Sequence, residues 1–187
     1  MQYIEHKLDD QMIKEGYFND GHIMSAPHIH EYLARMLYAR RSQVNPLWNM
    51  VVVAGVRPDS GKAIDHVGCG NAWKDDSNMF LGFVDLYGVT YTDVSIATGF
   101  GAHLARPIMR RELDACGGPQ NLTEEDARRI INDCMKVLYY RDARSLNKFS
   151  VATITHKAGV KIEKDQKVDA QWDVANYVTG YGRTYQY

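Results

Sequence analysis

Residues 123–150, TEEDARRIINDCMKVLYYRDARSLNKFS, constrain the fold more than any other stretch. Thr123 is suited to N-cap a helix, and Glu124, Glu125 and Asp126 follow in the first turn, where the helix dipole favours negative charge. Ala127, Ile130, Ile131, Cys134 and Leu138 recur at i, i+3, i+4, i+7 and i+11, which predicts one apolar helical face. Tyr139 to Ser145 is then expected to close the helix in an ion-rich knuckle, too polar to continue that face, before a strand begins near Phe149.

The other elements agree. Ile4, Leu8 and Met12 start the chain inside an amphipathic helix, and Gly16 to Gly21 reads as a loop. Ser25 can cap a second helix with Pro27 in its first turn. Ile29, Tyr32, Leu33, Met36 and Leu37 form its face, and Asn45-Pro46 stops it near Arg41 to Gln43. The run Met50 to Val56 is β-branched without alternation, which predicts a strand covered on both faces. Pro58 to Asn78 reads as a polar, glycine-bearing insertion. Two strands are expected at Met79 to Leu86 and Val89 to Ala97, around Tyr87-Gly88. A helix follows Gly101, and Pro107 predicts a start at Arg106 or an early kink. Cys116 to Pro119 ends it, and Phe149–His156 with Val160–Lys164 form a hairpin about Lys157 to Gly159. Helices and strands in separate runs imply an α+β layered domain and not βαβ winding, and 187 residues suit one domain, 1–187.

Composition removes several classes. Hydrophobic residues at 45% and charged residues at 24% are ordinary globular values. The net charge of -1, with basic residues scattered as pairs such as Arg40-Arg41, leaves no stripe for nucleic acid. No apolar run reaches the ~18 residues of a membrane span, and MQYIEHKLDD is not a signal peptide. Cys69, Cys116 and Cys134 are odd in number and unevenly spaced, which suits a reducing compartment, each as a buried or half-buried side chain.

Three constellations could carry chemistry. His22, His28 and His30 could suggest a metal, but His28 and His30, two apart, point to different sides of a helix, so solvated or capping roles are favoured. Gly99-Phe100-Gly101 before a helix lacks the third glycine and the later acidic residue of a dinucleotide cradle, and reads as a tight strand-to-helix turn. Asp142 and Ser145, three apart, could orient a reacting group, yet no activated nucleophile is evident and the chain starts with Met. Pairing of Arg141 with Asp142 to hold the knuckle is the favoured reading, and no cofactor is implied.

The run Cys134 to Ser145, CMKVLYYRDARS, resembles the YRDxxS segment of proteasome core-particle beta subunits. Arg40-Arg41-Ser42, Asn45 to Asn49, Phe80 to Asp85, Gly88-Val89, Ala97 to Ala102, Leu104-Ala105, Pro107, Asn147 and Trp172-Asp173 extend the similarity over nearly the whole chain. The nearest resemblance is to the noncatalytic type-4 class at ring position seven. It implies an Ntn-hydrolase-like four-layer αββα sandwich with antiparallel sheets, here lacking the first strands. It further implies a structural role in the beta ring of the chamber for ubiquitin-dependent protein degradation, in cytoplasm and nucleus. The partners so implied are other beta subunits, the alpha ring and the facing beta ring. Gly99, Phe100, Gly101, Arg141, Asp142 and Ser145 stand as structural family-motif residues, with Phe100 where active relatives carry serine between the glycines. The alternative is an active N-terminal-threonine peptidase subunit whose catalytic N-terminus is absent from this sequence. Relatives carry strands before the opening helix, so a fragment, a wrong gene start or a diverged copy is expected.

Overall fold

The computed structural model describes residues 2–18, 24–56 and 79–173. Its elements are α1 (Gln2–Phe18), α2 (Ala26–Ser42), β1 (Val51–Val56), β2 (Met79–Val84), β3 (Thr90–Thr92), α3 (Gly101–Ala115), a 3-10 turn (Pro119–Asn121), α4 (Glu124–Arg141), β4 (Lys148–Thr155) and β5 (Gly159–Lys167). The insertion expected at 58–78 and the tail from 174 onward lie outside the described residues, as does the later part of the loop expected at Gly16 to Gly21. The first part of that loop is helical, because α1 runs on through Phe18.

α2 starts where its sequence asks. Ser25 N–H donates to His28 Nδ1 at 3.3 Å, and the Ser25 hydroxyl lies 2.7 Å from the same nitrogen, closing the first turn. Leu33, Ala34 and Leu37 are buried against Ile4 of α1 and Val84 of β2, with Leu8, Val51 and Val53 packed around them. His30 is the polar member of this interface. Its Nε2–H donates to the Phe83 carbonyl at 3.0 Å, and its ring meets Phe80 edge-on at 5.3 Å. The helix comes so close here that a Cβ on Gly82 would lie 2.6 Å from the His30 ring, which explains a glycine in mid-strand.

The first sheet is antiparallel in the order β1-β2-β3, with Val51 opposite Val84, Val53 opposite Gly82, and Phe83 opposite both Val52 and Tyr91. Val51 and Val53 face the helices, whereas Val52 and Ala54 are exposed, so β1 is not covered on both faces as its unbroken apolar run suggested. Strand β3 is also far shorter than Val89 to Ala97. The Asp85 carboxylate accepts from Tyr87 N–H and Val89 N–H to make the hairpin turn. Asp93 then accepts from Val94 N–H and binds Arg110 of α3, bending the chain off the sheet.

α3 begins at Gly101 and carries Pro107 inside it, not at its start. Proline removes one backbone donor and crowds the preceding turn. Burial outweighs that cost: Ala105 and Met109 of α3 close a core with Ile130 and Cys134 of α4. The predicted α4 face is narrower than its spacing implied, since Ile131 is 39% exposed. α4 extends through Arg141, so Tyr139 and Tyr140 are helical, not part of the knuckle. Thr123 caps it, its hydroxyl oxygen accepting from Asp126 N–H at 3.2 Å. β4 and β5 form the expected antiparallel hairpin, a second sheet whose β4 approaches β1.

Candidate functional site

The knuckle after α4 carries Asp142 and Ser145. Asp142 N–H donates to Leu138 O at 2.7 Å, the last helical bond. The Asp142 carboxylate accepts from Arg144 N–H at 3.0 Å, an Asx turn. Ser145 N–H donates to Asp142 O at 3.1 Å, and its hydroxyl reaches Asp142 O at 2.8 Å and Leu138 O at 3.1 Å. Both side chains thus bind the backbone that carries them. The ion pair expected between Arg141 and Asp142 is not what holds the turn: among the described residues Arg141 is exposed and these backbone bonds do the holding.

Gly99-Phe100-Gly101 lies next to this knuckle. Gly99 has φ +60, the left-handed region that favours glycine, so the chain can turn into α3. Phe100 is 58% exposed and packs edge-on against His103 at 6.4 Å. A Cβ on Gly101 would lie 3.9 Å from Leu138 Cδ1, so Leu138 sits between the two motifs. The start of α3 has no side-chain cap bond. This arrangement builds a corner from two helix ends.

The remaining candidates resolve into structure. Cys134 donates to Ala105 O at 3.6 Å, and burial, with Asp133 and Glu112 adding to it, pushes its thiol up to about 11. Such a group is protonated at neutral pH and a poor nucleophile. Cys116 is a half-buried free thiol at the end of α3, while Cys69 lies outside the described residues. His28 caps α2, His30 sits in the core, and His22 lies outside the described residues. Among the described residues no group of three His, Cys, Asp or Glu side chains could hold a metal. No helix among them is long and apolar enough to cross a membrane.

One feature of this corner had no sequence signal. Tyr140 OH donates to Gln171 O at 3.1 Å and accepts from Gln171 N–H at 2.6 Å, while Trp172 packs edge-on against Tyr139 and Tyr140 at 5.8 and 5.0 Å. The segment after β5 is thereby fixed to the C-terminal end of α4. The partners are 31 residues apart, beyond any local pattern.

Residues 3–154 match the family described as "Proteasome subunit". The chain belongs to the proteasome beta-subunit family. It is 42% identical over 181 residues to "Probable proteasome subunit beta type-7" of Schizosaccharomyces pombe, covering 97% of this chain and 62% of that protein. It is 39% identical to "Proteasome subunit beta type-4" of Xenopus laevis, over 96% of this chain and 65% of that protein. With "Proteasome subunit beta type-7" of Saccharomyces cerevisiae the identity is 38%, over 97% of this chain and 64% of that protein. The chain therefore spans just under two thirds of the length of these relatives. As a beta-subunit family member it has the α+β, Ntn-hydrolase-like fold, and its helices and antiparallel sheets agree with that.

Proposed function

We propose that this chain is a noncatalytic structural beta subunit of the proteasome core particle, a single beta-type domain over 1–187 that helps form the beta ring of the chamber. Its partners on this reading are other beta subunits, alpha-ring subunits and the facing beta ring, in cytoplasm and nucleus. The observation that carries the proposal is the fate of Asp142 and Ser145. The carboxylate and the hydroxyl retained from the family's YRDxxS segment both serve the backbone turn that joins α4 to β4. Gly99, Phe100 and Gly101 play the matching part at the start of α3, and Arg141 ends α4. These six are structural motif residues on this reading, and the type-4 name of one relative agrees with it.

A covalent electrophile directed at N-terminal threonine separates this role from that of an active peptidase. Applied to intact core particles, the probe is expected to label catalytic beta subunits and leave this chain unmodified. Labelling of this chain would overturn the proposal.

A further inference from the structure

The β4–β5 hairpin has no buried side chain of its own, though Phe149, Val151 and Ile154 are half-buried, and the first buried one is Val168 just beyond it. It is attached at two separate places along α4, and β4 also approaches β1. At its base, Val168 N–H donates to Asn147 O at 3.1 Å, and Tyr140 holds Gln171 through both backbone groups. About 18 Å away along the helix, at 1.5 Å per residue, Arg128 makes the second attachment. Its guanidinium donates to Glu163 Oε2 at 2.8 Å and Oε1 at 3.2 Å, to Thr153 Oγ1 at 3.0 Å, and through Nε to Glu124 Oε1 at 3.2 Å. Glu124 lies on α4 itself, so Arg128 is braced on its own helix while it grips both strands of the hairpin.

Beside the Arg128 attachment helix and strand do not close on each other. A cavity of about 260 Å³ remains there, lined by Ala127, Arg128, Ile131 and Asn132 of α4 and by Val151 and Thr153 of β4. Side chains that could have filled it stand apart: Ile131 is 39% exposed although it faces this gap. With no buried apolar side chain within the hairpin, the planar, multidentate guanidinium is suited to seat it.

We propose that Arg128 is a latch that seats the β4–β5 hairpin on α4, and that the hairpin swings about its base at Asn147 and Val168 when the latch opens. Opening widens the cavity and frees Thr153 and Glu163. The device belongs to the interior of one chain and is independent of the role proposed above.

Hydrogen–deuterium exchange on the full chain reads the latch directly, because local opening and global unfolding protect different amides. In Arg128→Met, amides of β4 and β5 are expected to exchange about tenfold faster or more, with α2 and β2 unchanged; a lost tether of charge-assisted bonds supports a factor of that order. Lys161 also contacts Glu163, at 2.6 Å, but comes from the same strand and cannot tie it to α4. Lys161→Met should therefore leave hairpin exchange as it is. Glu163→Gln provides a second opening of the latch should Arg128→Met fail to fold, with the same hairpin-confined increase expected. Unchanged hairpin exchange in either folded variant, or an equal rise in α2 and β2, would overturn the proposal.

Discussion

Gly82→Ala tests how the α2 layer is fitted to its sheet. The new Cβ would lie 2.6 and 2.8 Å from two atoms of the His30 ring and 2.9 Å from Phe80 Cε1. The ring cannot simply step aside, because its Nε2–H is bonded to Phe83 O, one residue along the same strand. Overpacking of a fitted core costs about 1–3 kcal/mol, and loss of that hydrogen bond adds about 1 kcal/mol. The substitution should thus destabilise the chain by roughly 2–4 kcal/mol in urea unfolding. The decisive comparison is a cycle with His30→Ala. Removing the imidazole makes room for the methyl group, so Gly82→Ala in that background should cost about 1 kcal/mol, the residue of its contact with Phe80, giving a coupling of about 1–3 kcal/mol. Additive effects would refute the reasoning, since they would place the cost in the contact with Phe80 and not in the approach of His30.

The other expectations are more local. Thr123→Ala removes the hydroxyl that accepts from Asp126 N–H and should cost about 1 kcal/mol, whereas Thr123→Ser should recover most of it, read from urea midpoints. Glu163 is held down to about 2 from its ordinary 4.5, first by the Arg128 hydrogen bonds and then by Lys161. A depressed carboxyl stabilises the fold above its unfolded value and loses that contribution as pH falls through the folded one. Acid titration of stability should therefore fall more steeply between 4.5 and about 2 in the wild type than in Glu163→Gln. Cys134, buried and pushed up to about 11, should resist alkylation in the native chain at mildly alkaline pH, while half-buried Cys116 reacts, as mass spectrometry of the labelled protein would record.

The parts legible in the sequence are those decided within a few residues. The caps at Ser25 and Thr123, the face of α2, the stop at Asn45-Pro46 and the Lys157–Gly159 hairpin follow from local chemistry, and each is present. Misreadings arise where distant packing decides. Pro107 lies inside α3 because Ala105 and Met109 gain a core against α4. The run at β3 is cut short by two aspartates, Asp85 and Asp93, that bind backbone groups. β1 has the composition of a doubly covered strand, yet Val52 is 41% exposed on its second face. At the site, the motif marks Asp142 and Ser145, but their hydrogen bonds to the turn depend on where α4 ends. Arg128 and Glu163 are 35 residues apart, and an i,i+4 pattern shows only the Glu124 part of that network.

The proposed role in the core particle makes a physical demand that one measurement meets most directly. Native extract fractionated by size, with this chain followed by mass spectrometry, should place it in the fraction of the intact core particle together with alpha and other beta subunits. Recovery of the chain only among small proteins, away from every other subunit, would contradict the proposed role.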